Sequence, residues 1–480
     1  MPLEINRRAD ISIDNYFRVA WRGEPVRLSA DALKRIAAAR QAFLRLLDAD
    51  PGLTIYGVTS GYGQQASRRL GPEERIAHAR RPPHAPACAF GPALPERVSR
   101  GIVFARLANF VEGHAAVSAQ LAEAVAAMLD GGPLPPVSVA GQGGAGEILS
   151  LAPLFLPLAE RFPVGEKEVL ALINGSPSAS ALLADAALAM QRRLALAEEV
   201  FALSAEAIRA PHEAYDEALE ALWGDPYEAE ALSRLRALMA GGVRERRPYQ
   251  APVSYRVLPR VLGQARRAVA AAAEAAAISL PAVSDNPVYL PPDAAHPNGR
   301  ILSNGGFHNG KAYPALDDLA AVCADLCAIA DRHVSKLCDG RYSLLPDQLR
   351  VGDGYLGTLG FVQVGYAEQA RRAAQRNFLP GSENGGFGQN DVAPPTFLAW
   401  RSQEEAGRCL EACLAVLAAV ASQAFYVTER AAPPALAPLL EAVRSDFPPV
   451  TASRAFVGDL TRLAARFRDR VYDVAPALRP

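Results

Sequence analysis

The sequence predicts a mainly α protein, a bundle of long helices with a loop-rich N-terminal part. Three observations carry this. Apolar residues recur at helical spacing over segments longer than the usual helix of about 8–20 residues. Strand-like runs are few and short. Gly- and Pro-rich loops at 131–146, 281–310 and 379–396 separate the periodic segments.

In chain order, residues 1–200 hold the first loops and residues 201–480 read as the central bundle and C-terminal helices. Residues 95–129 read as one helix, ended by Gly131, Gly132 and Pro133. Residues 149–158 are helix-like, and 168–203 read as one further helix. Segments 258–280, 314–338, 356–376 and 397–428 follow. Within 314–338, Leu319, Val322, Cys323, Leu326 and Ile329 keep the i, i+3, i+4 spacing. Helices of this length bury a shared apolar face against one another, which is the physics of a bundle.

Composition sets the broad class. A chain of 480 residues exceeds one ordinary domain and can bury a large core. Half of it is apolar and 21% is charged, as in ordinary globular proteins. A net charge of −1 supplies no field for nucleic acid or an anionic membrane, so neither is expected as a partner. Met1-Pro2-Leu3-Glu4-Ile5-Asn6 has no apolar signal core. The apolar runs 268–280 and 414–421 fall short of the roughly 18 residues a membrane span needs. A cytoplasmic protein is expected. The six cysteines are dispersed: Cys88, Cys323, Cys327, Cys338, Cys409 and Cys413. Cys323/Cys327 and Cys409/Cys413 share helix faces, and His333 is the one nearby candidate for a further ligand. Packing accounts for them better than a metal, and no metal is expected.

Gly141-Gln142-Gly143-Gly144-Ala145-Gly146 matches a dinucleotide-binding pattern after the short apolar run 137–139. That motif needs a βαβ unit. No second strand follows, so a glycine-rich loop of another kind is expected, and no nucleotide cofactor.

Five segments give the chain a family likeness. They are Tyr56-Gly57-Val58-Thr59-Ser60-Gly61-Tyr62-Gly63, the loop from Pro135 to Leu149, Lys167-Glu168-Val169-Leu170-Ala171-Leu172-Ile173-Asn174-Gly175, Ala282-Val283-Ser284-Asp285-Asn286-Pro287, and Ser303-Asn304-Gly305-Gly306-Phe307-His308. In this order and spacing they resemble the aromatic amino-acid ammonia-lyase family, histidine ammonia-lyases above all, over about residues 53–395. The resemblance implies a long-helix bundle and a homotetramer whose sites combine loops of three subunits. In the family an Ala-Ser-Gly triad cyclises into an electrophilic methylidene-imidazolone. The corresponding residues here are Ala145-Gly146-Glu147. Gly146 has neither the hydroxyl to lose nor a β-carbon to become a methylidene. No such group, and no cofactor, is expected.

The resemblance also nominates residues. Tyr56 is the candidate base for a β-proton. A phenol's ordinary pKa is about 10, so it needs amide or cationic neighbours to act. Asn174 matches an active-site Asn, and Arg256 in Val253-Ser254-Tyr255-Arg256 matches the Arg that clamps a substrate carboxylate in two-pronged fashion. Val253 replaces a second catalytic Tyr, and Tyr255 is the nearest phenol. His84 lies near an imidazole-contacting His. Phe307 matches an active-site aromatic, and Lys311 stands where Pro is usual. Gln389-Asn390-Asp391 resembles Gln-Glu-Asp, with Asn390 in place of the Glu. Each has a plain structural reading as well: a loop-tip Tyr, an Asn-Gly turn, a surface Arg beside Arg244, Arg246, Arg247 and Arg260, a solvated His or Lys.

Electrophile, second Tyr and Glu are lost together, which fits altered chemistry better than a damaged ammonia-lyase. The first expectation is a lyase acting on a pre-activated small-molecule carboxylate, eliminating an amine such as trimethylamine from a histidine-derived betaine such as ergothioneine. The alternatives are isomerisation, cyclisation or dehydration of an aryl-propanoid-like acid, and a non-catalytic binding protein.

Overall fold

The computed structural model describes residues 2–140, 143–379 and 388–473. Helices dominate, as expected of a mainly α chain. Four are long: Pro177–Ala207, Leu258–Ser279, Ala312–Cys338 and Thr396–Val427. Strands form two small ribbons. Leu3–Ile5 pairs in parallel with Val26–Leu28, and Val288–Leu290 pairs antiparallel with Arg300–Leu302.

Three expected helices appear within a residue or two of their limits, and 356–376 is realised as Leu359–Ala373. Two expected long helices are broken. In place of 95–129 the chain forms Glu96–Arg106, a short 3-10 turn Leu107–Asn109, a bend, and Ala119–Ala127. The bend is anchored by long-range polar bonds that local periodicity does not encode: the Asn109 side chain accepts the Ser284 amide at 2.8 Å. Ser118 then starts the new helix by accepting the Leu121 amide at 3.2 Å. In place of 168–203 the chain forms Glu168–Ile173, a turn at Asn174 and Gly175, and Pro177–Ala207. Gly175 has φ +139°, and a Cβ there would lie 2.3 Å from Arg106 Nη2. Pro177 opens the next helix, where its missing N–H costs nothing.

The described contacts divide into two discontinuous units, which differ from a contiguous division at residue 200. The first holds Met1–Ala186, Ala272–Leu316 and Arg376–Arg401, and the second holds Ala187–Ala271, Asp317–Gln375 and Ser402–Pro480. Four of the five boundaries fall inside the four long helices, and the fifth follows the Leu359–Ala373 helix. The second unit carries the buried Arg193, which donates to Glu411 at 2.8 Å and to Glu404 at 3.2 Å. Cys323, Cys327, Cys409 and Cys413 are buried, free thiols of this unit. The Thr396–Val427 helix exceeds the sequence expectation for apolar length. It is long and apolar enough to cross a membrane, but 83% of its apolar window is buried inside the protein, as in a core helix.

Candidate active site

The Tyr56 loop is a tight turn. The Ile55 carbonyl accepts the amides of Val58, Thr59 and Ser60 at 3.0–3.1 Å. The Thr59 hydroxyl accepts the Ile55 amide at 2.7 Å and donates to the Leu53 carbonyl at 2.8 Å. This brings the loop back on itself, so that the Gly63 amide donates to the Tyr56 hydroxyl oxygen at 3.1 Å. Tyr62 meets Tyr56 edge-on, with ring centroids 6.1 Å apart. Burial, and then the Tyr56 phenol, push the Tyr62 phenol up, so Tyr62 stays protonated.

The glycine-rich loop follows from its backbone. Gly144, Gly146 and Glu147 all have left-handed φ, at +74°, +70° and +59°. Gly146 accepts the Gly175 amide at 3.0 Å, which ties this loop to the Asn174 turn. Asn174 is buried, and its side-chain oxygen has no hydrogen-bond partner among the described residues. Its carbonyl accepts Arg106 Nη1 at 2.6 Å.

These two loops and two later ones enclose a cavity of about 670 Å³ within the first unit. It collects five expected residues: Tyr56, Asn174, Phe307, Gln389 and Asn390. It adds Tyr62, Gln65, Asn286, Ser303 and Asn304, which had not been singled out although all but Gln65 stand in the matched motifs. Asn286 Oδ1 accepts the Asn304 amide at 2.9 Å, which joins two of these motifs. Among the described residues, no charged side chain lines the cavity. It is a surface of aromatic rings and neutral amides, able to donate and accept hydrogen bonds without net charge.

The charge lies beneath this surface. Lys167 and Asp285 form a fully buried ion pair. Arg106 is fully buried, and desolvation pulls its guanidinium down to about 10 against the pull of Asp285 and Glu147. Glu147 is buried too, and desolvation raises its carboxyl to about 7 against the Ala179 and Ser178 amides and Arg106.

Four expected residues are not in this cavity. His84 is exposed and pairs with Glu160 at 3.0 Å, while its neighbour Pro86 lines the wall. Tyr255 belongs to the core of the second unit, which corrects its expected role. It stacks on His333 with centroids 3.6 Å apart, and its hydroxyl lies 3.3 Å from Ser204 Oγ. Arg256 is exposed in the second unit, where Nε donates to the Ala251 carbonyl at 3.1 Å. Lys311 is exposed just before the Ala312–Cys338 helix.

The prosthetic group implied by the family does not fit these residues. A Cβ at Gly146 would stand 2.5 Å from Asn174 Nδ2, at a φ that side chains rarely adopt. Ser150, the hydroxyl that follows, is buried against the Glu147 carbonyl at 2.9 Å and Ser178 Oγ at 2.9 Å.

Residues 11–164 and 159–446 match the family model described as aromatic amino acid lyase. A histidine ammonia-lyase of Sorangium cellulosum is 31% identical over 360 residues, covering 68% of this chain and 70% of that protein. One from Symbiobacterium thermophilum is 29% identical over 493 residues, covering 95% of each. Among solved structures, the ergothioneine-degrading enzyme ergothionase from Treponema denticola, in complex with desmethyl-ergothioneine sulfonic acid, superposes with a TM-score of 0.88. That match has 19% identity and covers 98% of this chain and 100% of the other, a likeness of fold.

Proposed function

The chain belongs to the aromatic amino acid lyase family, and on that footing we propose that it is a carbon–nitrogen lyase working without the family's cyclised electrophile. The substrate is a pre-activated amine, a histidine-derived betaine such as ergothioneine that releases trimethylamine. The observation that carries the reading is the pairing of a Tyr56 cavity with Gly146 in place of the cyclising Ser. A primary ammonium is a poor leaving group beside a weakly acidic β-proton. A trimethylammonium leaves as a neutral amine without prior alkylation, and an imidazole-derived ring helps to acidify the β-carbon. The fold likeness to an enzyme that degrades ergothioneine supports the same substrate class.

The step balances without a co-reactant. Tyr56, as phenolate, takes the β-proton. The electron pair forms the Cα–Cβ double bond, and the Cα–N bond breaks to release trimethylamine. The Gly63 amide faces the phenol oxygen that carries the charge before the transfer. The cationic leaving group suits a wall of aromatic faces and amides, which holds a quaternary ammonium without donating to it. A carboxylate needs a cation, and none lines this wall among the described residues. We assign that role to Arg256 of a neighbouring subunit in a homotetramer, an assignment the exposure of Arg256 permits.

The purified protein, given the betaines of histidine and ergothioneine, is expected to raise urocanate-like absorbance with stoichiometric trimethylamine. Absence of both with both betaines refutes the reading. The intact mass should equal that of the sequence. A mass lower by two waters would mean that the cyclised group forms.

A further inference from the structure

Glu147 is an odd residue for its place. It is a carboxylate only 2% exposed, in left-handed backbone at φ +59°, at the end of a loop with Gly143, Gly144 and Gly146. Its oxygens accept the Ser178 amide at 2.6 Å and the Ala179 amide at 2.8 Å. Those amides open the 31-residue Pro177–Ala207 helix. A helix start is ordinarily satisfied by a Ser, Thr, Asp or Asn immediately before it. Here the acceptor comes from about thirty residues upstream, so the bond joins two segments instead of only finishing one. Between the two segments sits Asn174, with Nδ2 directed at the space a Gly146 Cβ would fill and Oδ1 unpartnered among the described residues. Glycines make a loop expensive to order. Two bonds from backbone amides to a carboxylate at the positive end of a long helix offset that cost. The buried Arg106 adds attraction from below.

We propose that Glu147 is a positioning residue. Its carboxylate pins the glycine-rich loop to the first turn of the Pro177–Ala207 helix, and through Gly146 and the Gly175 amide it fixes the Asn174 side-chain amide toward the cavity. Order that a covalent ring would impose on such a loop is thereby supplied by hydrogen bonds. This rests on the reading of the cavity as the reaction site.

The test uses the full chain and the variants E147Q, N174A and their double mutant. Amide hydrogen exchange, followed by mass spectrometry without substrate, is read over 143–149 and 174–179, with the Leu258–Ser279 helix as control. E147Q keeps the shape but offers one acceptor for two amides. Exchange in the two segments should quicken about tenfold or more, with the control unchanged. With betaine substrate, kcat should fall about tenfold or more at nearly constant KM, and E147Q should cost little further in the N174A background. If E147Q does not fold, E147D, which keeps the charge and loses one methylene of reach, should quicken the same segments. Unchanged local exchange overturns the proposal. So does a general loss of stability in which kcat per folded enzyme is kept or the two substitutions act additively. If the wild type turns over neither betaine, the functional reading alone falls and the exchange result still decides.

Discussion

A phenol in this cavity is useful only if its oxygen is held and its proton has somewhere to go. Tyr56 meets the first condition through the Gly63 amide. Replacing Tyr56 with Phe removes the oxygen and little else, so kcat should fall about 10²- to 10⁴-fold while substrate binding by calorimetry changes little. Loss of binding in equal measure would point to a wall residue instead of a base. Glu147 makes a separate prediction through pH. Its folded carboxyl stands at about 7, above the roughly 4.3 of an exposed Glu. Between those values the folded state binds more protons than the unfolded one, so this group's contribution is full below about pH 4 and is lost as pH rises through about 7. At about 1.4 kcal/mol per unit the effect is on the order of 4 kcal/mol at most. Melting temperatures of wild type and E147Q at pH 5 and pH 8 should converge, or cross, toward pH 8. A pH-independent gap would refute it. Residues such as Asn174 and Phe307 were legible because they sit inside motifs that repeat the family's spelling. His84 stands outside those motifs, only near the family's His, and its side chain faces Glu160. Arg106 carried no signal, since a charge in a periodic segment reads as a solvated face until burial is known, and Glu147 showed only as the residue in place of the triad's Gly.

At the level of elements, the 3.6-residue period found the helices and missed the interruptions that build the site. The break at Asn174 and Gly175 arises because the chain must pass the buried Arg106, whose Nη1 bonds the Ala171 carbonyl at 2.7 Å and the Asn174 carbonyl at 2.6 Å. Apolar spacing continues through that point, so the sequence reads as one helix. The same turn yields a prediction. Gly175→Ala places a methyl 2.3 Å from Arg106 Nη2 and 2.9 Å from Ser284 Oγ, at φ +139°. A side chain there is strained by its backbone and meets partners that cannot retreat in a packed core. The variant should lose about 2 kcal/mol or more in urea unfolding, and activity should drop because Asn174 moves with the turn. Unfolding within about 0.5 kcal/mol of wild type would mean that Arg106 gives way easily.

At the scale of the whole molecule the difficulty is charge. The proposed substrate carries a carboxylate, and the cavity in one subunit's described residues presents no cation. Arg256 is exposed and belongs to another compact unit of the chain. The Leu359–Ala373 helix also shows apolar side chains to solvent: Phe361 is 83% exposed and Val364 49%. Apolar exposure of this kind is typical of a surface covered by a partner. Both facts have one explanation if subunits assemble and each cavity receives Arg256 from a neighbour. The two substitutions Tyr56→Phe and Arg256→Ala then disable a site from different chains. Each variant alone should be inactive. Co-expressed in equal amounts, they should form mixed tetramers in which about a quarter of the sites draw Tyr56 from one parent and Arg256 from the other, both intact, because each is contributed independently with a chance of about one half. Activity should therefore return to about a quarter of wild type in the mixed species. Refolded or separately purified variants mixed without exchange should stay inactive. If co-expression restores nothing although sedimentation shows mixed tetramers, either Tyr56 and Arg256 serve the same subunit's site, or Arg256 serves none and the carboxylate is held by the neutral amides.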